Sequence, residues 1–246
     1  MSSFFEVQNQ TEDSAEIYIV GQIQTEKPWW KDDEVNNENC LRDFIKTLQD
    51  LKDVKNLVIH INSPGGVLFA GVTMYNLLKN HLAHKKIYVD GSAASAASII
   101  AMAGDEVIIP KNAFLMIHKP IVGVAGNAFD LQKAIEMLDS IEVGMLSIYE
   151  ENLINSEDKD IIKQMVQDET WLNGEEAAKY FKNVKVADEV NIAACSNFDF
   201  SCYKHVPKEL IKNEINNTND DELLKKEKLK KKELELMKAK LRLEIS

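Results

Sequence analysis

Short apolar runs alternate with longer segments of helical periodicity along most of the chain. Residues 15–21 (AEIYIVG) place apolar side chains at every second position, which predicts a half-buried strand. In residues 40–51, Leu41, Phe44, Ile45 and Leu48 share one helical face. Residues 56–61 (NLVIHI) are a compact strand that runs into Asn62-Ser63-Pro64-Gly65-Gly66, and 68–78 is helical again. Residues 86–89 (KIYV) predict a third strand, Gly91 opens a turn, and 95–103 is a helix built from small residues. Two more strands, 106–109 and 114–117, follow. Strands that alternate with helices in this way predict βαβ units and a largely parallel sheet, an α/β fold.

The second half changes character. Residues 127–151 carry Phe129, Leu131, Ile135, Leu138, Ile141, Met145 and Ile148 at helical spacing with few breakers. A helix of roughly seven turns extends past a compact sheet or packs on another subunit. Ser156-Glu157-Asp158 is an acidic helix start, Gly174 opens a short helix to Tyr180, and 184–190 predicts a closing strand. Residues 213–221 are polar and 222–244 are almost wholly Leu, Lys and Glu. Two domains follow: 1–205, and a linker with a charged helical tail over 206–246.

Charge sharpens this division. The net charge is −11, with −13 on residues 1–205 and +2 on 206–246. So acidic a body excludes a general nucleic-acid surface. Three widely spaced cysteines without a CxxC pair form neither a disulfide framework nor a zinc site, and they point to a reducing cytoplasm. The first sixteen residues lack the basic and apolar regions of a secretion signal. The longest uncharged window, 91–104, would span about 21 Å as a helix, too short for a membrane core of roughly 30 Å.

Three places can carry chemistry. The Ser63-Pro64-Gly65-Gly66 turn after a buried strand can aim main-chain N–H groups at an anion, although no Gly-Lys-Ser/Thr follows to make a nucleotide loop. In Gly91-Ser92-Ala93-Ala94-Ser95-Ala96-Ala97-Ser98 a serine at a helix start could be a nucleophile, but three compete and the Gly-x-Ser-x-Gly elbow is absent. His118 ends an apolar strand, where a general base is well placed. No His, Cys, Asp or Glu grouping has metal-ligand spacing, so no metal or other cofactor is expected.

In this order and at these separations, Ile61-Asn62-Ser63-Pro64-Gly65-Gly66, Gly91-Ser92-Ala93-Ala94-Ser95 and Met116-Ile117-His118-Lys119-Pro120 resemble the signature blocks of the ClpP-type serine peptidases. The resemblance extends through Gly126-Asn127-Ala128 and Glu169-Thr170-Trp171-Leu172 and covers about 15–190. Two variants, Asp90-Gly91-Ser92-Ala93-Ala94-Ser95 and Glu169-Thr170-Trp171-Leu172, look most like the phage and prophage head-maturation (prohead) branch.

The resemblance implies a ClpP/crotonase-like fold of repeated ββα units with a long protruding helix. It puts the nucleophile on Ser95, the base on His118, and the oxyanion hole on the N–H groups of Gly66 and Ala96. Gly65, Gly123 and Gly126 would contact an extended peptide. The register of the third member falls on Glu169 where the family has Asp, with Asp168 as the alternative acid. The expected Tyr-Gly near the domain end is replaced by Tyr180-Phe181-Lys182-Asn183. The implied partners are polypeptide substrates, further copies in a heptameric ring or double ring, and a separate ATPase or capsid proteins. Nucleic acid and membrane are not expected. A catalytically weak ring scaffold in capsid assembly is the alternative. An acyl-CoA enzyme of the crotonase type is disfavoured, because its chemistry does not require a Ser95/His118 pair.

Overall fold

The computed structural model describes residues 4–25, 41–188, 198 and 200–211. The expected tail helix over 222–244 lies outside the described residues. The chain divides into two compact units, Met1–Pro207 and Lys208–Ser246. Of the second, a single helical turn, Lys208–Ile211, is described.

The first unit is built on an eight-stranded mixed sheet. Strands β1 (Phe5–Gln8) and β2 (Ser14–Val20) pair antiparallel at one edge. Next come β3 (Asn56–Ser63), β4 (His84–Ala94), β5 (Glu106–Pro110) and β8 (Val184–Ala187), each parallel to its neighbour. Strand β6 (Phe114–Ile117) lies parallel to the end of β4 and antiparallel to β7 (Thr170–Asn173). The strands read from the sequence at 56–61 and 86–89 have a physical outcome: Leu57, Ile59, Ile61, Ile87 and Val89 are wholly buried. Parallel strands covered on a face by helices are buried in this way.

Helices α1 (Leu41–Asp50) and α2 (Leu68–Asn80) cover the sheet, Phe44, Leu48, Met74 and Leu78 being their buried anchors. Helix α3 (Ala96–Ala101) is buried throughout. Alanine and glycine permit this close burial. A Cβ on Gly71 of α2 would stand 2.9 Å from both the Cβ and the carbonyl oxygen of Ala96.

Helix α4 (Ala128–Glu151) starts from a capping box in which Asn127 and Asp130 exchange hydrogen bonds. It is about 36 Å long. Met145, Leu146, Ile148 and Tyr149 near its C-terminal end are buried, while Phe129, Ile135 and Val143 are exposed by 68%, 52% and 69%. Helices α5 (Lys159–Gln167) and α6 (Gly174–Ala177) complete the unit. Among the described residues no helix is long and apolar enough to cross a membrane.

Two local expectations are corrected, and two strands are added. Gly91 does not open a turn; β4 runs on through Ser92, Ala93 and Ala94 because β6 gives that stretch a second neighbour. The small-residue helix starts at Ala96 rather than Ser95, which has a left-handed φ of 55°. Strands β1 and β7 are not predicted by the periodicity; each holds its place by antiparallel pairing with a neighbour, β1 with β2 and β7 with β6.

Candidate active site

The site forms where β4 and β6 end side by side. In their parallel register Ala94 stands beside Met116, and the N–H of Ser95 donates to the Met116 carbonyl at 2.9 Å. One residue beyond Ala94 is Ser95; two beyond Met116 is His118. Ser95 Oγ and His118 Nε2 are 2.7 Å apart. With φ 55° and ψ −123°, Ser95 adopts a backbone that L-residues rarely occupy. The chain therefore turns sharply from strand to helix at Ser95, which leaves its side chain half-buried at the site.

Geometry separates the three serines. Ser98 is fully buried, its Oγ donating to the Ser95 carbonyl at 2.6 Å and lying 2.7 Å from the Tyr149 hydroxyl. Ser92 is also buried, facing the Ser63 carbonyl and the Asn62 side chain. Ser98 thus fastens the backbone at Ser95, while Ser92 ties β4 to β3.

The glycine turn packs directly on the serine turn. A Cβ on Gly65 (φ 94°) would lie 2.7 Å from Ser95 Cβ and 2.6 Å from the Ala94 carbonyl oxygen. Glycine is the residue that permits this approach. Gly66 (φ 149°) lies against the Ile23 backbone. Ile23 N–H donates to the Gly65 carbonyl at 2.8 Å and Val67 N–H to the Ile23 carbonyl at 3.0 Å. That pair of bonds does not use the Gly66 N–H. Ser63 Oγ also donates to the Gly21 carbonyl and accepts from the Gly65 N–H. Ala96 is the first residue of α3, so its N–H has no partner one turn back.

The two adjacent acids diverge. Asp168 caps α5, is exposed, and accepts from Gln164 Nε2 at 2.9 Å. It does not reach the site. Glu169 has a φ of 53°, which turns its side chain inward, and it is 9% exposed. Its Oε1 accepts from the main-chain N–H of Lys204 and, at 3.1 Å, of His205. Among the described residues no hydrogen bond joins Glu169 to His118, but its charge is felt there. Burial pushes the His118 pKa below the ordinary imidazole value, and the Glu169 carboxylate pulls it partly back up.

Beyond His118, Lys119 Nζ pairs with the buried Glu142 of α4 at 2.9 Å, tying the strand end to that helix. Residues 118–127 form no strand. Gly123 lies in open space, and Gly126 packs against Asp130. A segment without a hydrogen-bonded neighbour has no ladder to join, so any pairing here needs an incoming chain. A cavity of about 830 Å³ opens over Gly65, Gly66, Ser95 and His118, with Phe69 and Met137 among its apolar walls. Tyr203 also borders it, a contribution that sequence reasoning missed; its nearness to His118 is a tertiary fact without a local signal. Among the described residues no group of three or more His, Cys, Asp or Glu could hold a metal.

Comparison with known proteins agrees with this arrangement. Residues 11–182 match the family model described as Clp protease. The chain is 27% identical over 156 residues to the ATP-dependent Clp protease proteolytic subunit 2 of Tropheryma whipplei, covering 61% of this chain and 82% of that one. It is 26% identical over 174 residues to the ATP-dependent Clp protease proteolytic subunit 2 of Treponema denticola, covering 70% and 81%. Against the ATP-dependent Clp protease proteolytic subunit 1 of Salinibacter ruber it is 29% identical over 139 residues, covering 55% and 58%. With the family model spanning well over half its length, the chain belongs to the Clp protease family and is a ClpP-like serine peptidase.

Proposed function

We propose that the chain is a serine endopeptidase that cleaves polypeptides through an acyl-enzyme on Ser95. The observation that carries this reading is the 2.7 Å contact between Ser95 Oγ and His118 Nε2 at the floor of an open cavity. Ser95 Oγ attacks the peptide carbonyl while His118 Nε2 takes its proton. The oxyanion accepts hydrogen bonds from the N–H groups of Gly66 and Ala96. His118 then passes the proton to the departing amine, and water releases the acyl group by the same steps in reverse. Glu169, the inward-facing acid, stabilises the imidazolium through its charge. Asp168, turned to solvent, has no part. The unpaired stretch containing Gly123 and Gly126, together with Gly65, receives the extended substrate.

The peptidase domain occupies 1–205 and works as a homo-oligomer, a heptameric ring or a pair of rings. Exposed apolar side chains on α4 (Phe129, Ile135, Val143) and the neighbouring Ile121, 72% exposed, support this assembly, since burying them requires a second surface. The substrate is delivered by a separate ATPase or drawn from capsid proteins. The Asp90-Gly91-Ser92 and Glu169-Thr170-Trp171 variants support a role in phage or prophage head maturation within a bacterial cytoplasm.

A fluorophosphonate is expected to label the chain once. Ser95→Ala should abolish the labelling and cost peptide hydrolysis on the order of 10⁶ in rate. Ser92→Ala and Ser98→Ala should retain it, and labelling that survives Ser95→Ala contradicts the assignment. Glu169→Gln is expected to slow acylation by an order of magnitude or more, and Asp168→Asn to leave it within about twofold; the opposite pattern would move the acid to Asp168. Native mass spectrometry at micromolar concentration should show rings, whereas a stable monomer excludes them.

A further inference from the structure

Outside the residues that match the family model, the chain returns to the site. Residues 200–205 turn across it, held at one end by the Lys204 and His205 N–H groups on Glu169. The Tyr203 ring stands edge-on to His118, with centroids 5.4 Å apart, and to Trp171 at 6.0 Å. Its hydroxyl donates to the Pro64 carbonyl at 2.5 Å. One short turn thus links the carboxylate, the histidine ring and the glycine turn.

We propose that Tyr203 is a positioning residue of the acyl-transfer site, holding the Pro64-Gly65-Gly66 turn in place for the oxyanion and bracing the His118 ring. This inference rests on the reading of Ser95 and His118 as the reacting pair. Both glycines have a positive φ, a region that glycine enters readily, so this turn relies on its hydrogen bonds to hold one conformation. The hydrogen bonds of Ile23 fix the far side of that turn. On the near side Ser63 Oγ accepts from the Gly65 N–H, and Tyr203 holds the other edge of the same peptide plane, at the carbonyl that precedes Gly65. Tyr203 also remains a donor throughout the working pH range, since burial pushes its pKa up to about 12. The His118 ring, met edge-on by Tyr203, has less room to turn away from Ser95 Oγ.

Two variants interrupt this brace at different points. Tyr203→Phe keeps the ring and removes the hydroxyl, and with it the hydrogen bond to Pro64 and the interaction with the Ser95 side chain. Lys204→Pro removes one of the N–H groups that tie the turn to Glu169. Each is tested in the full-length chain by the rate of fluorophosphonate labelling and by kcat and KM on a small ester, with the thermal midpoint as a measure of folding. Labelling and kcat should fall about tenfold in Tyr203→Phe, with KM and the thermal midpoint little changed. Lys204→Pro should slow labelling in the same direction. Wild-type rates in both variants overturn the proposal. Faster labelling in either also overturns it and makes the turn a plug over the nucleophile. Failure of the wild type to label would instead defeat the catalytic reading itself.

Discussion

The parallel pairing of β4 with β6 is the constraint on which the site depends. It sets Ala94 beside Met116, and the chain then needs one residue to reach Ser95 and two to reach His118. The Ser95 N–H to Met116 carbonyl bond extends that ladder to the nucleophile itself. Everything else adjusts to this fixed pair. Helix α3 must start at once behind Ser95, which forces the left-handed backbone at that residue and demands alanines that can be buried whole. Gly65 must come close enough that no side chain fits between the two turns. The strain at Ser95 is held by buried bonds around it, Ser98 to the Ser95 carbonyl and Ser98 to Tyr149.

Electrostatics then sets what the pair can do. His118 is nearly buried, which favours its neutral form and keeps it competent as a base. Burial alone would also make the imidazolium formed during attack costly. Glu169 moderates that cost from within the same region, while its carboxylate is satisfied by two main-chain donors rather than by the histidine. A buried carboxylate needs such donors. The price of that arrangement is that residues 204 and 205, beyond the family match, become part of the environment of His118.

Much of this was legible in the sequence. The strands around Ile59 and Ile87 follow from their short apolar runs, and α4 follows from the helical spacing of its apolar residues between Phe129 and Ile148. The Gly65-Gly66 turn and the strand-end His118 were visible as candidate chemistry. What was hidden depended on pairing between distant segments. Periodicity could not show that β4 continues to Ala94, because the partner that extends it is 22 residues away. Composition could not separate Ser92, Ser95 and Ser98; burial and backbone angle do. Asp168 and Glu169 differ only in which way a helix end turns them. Tyr203 carries no local mark of its position, since its neighbours His118 and Pro64 are fixed by tertiary packing.

The central claim is that a buried, neutral His118 activates Ser95. It is tested most directly by the pH dependence of the second-order rate of fluorophosphonate labelling of the wild-type protein, which reports the ionisation of the free enzyme. Because burial outweighs the pull of Glu169, the rate should rise with pH through a single ionisation whose midpoint lies below 6.5, the ordinary imidazole value. A midpoint at or above 6.5, or a rate that does not depend on pH in this range, would contradict the account.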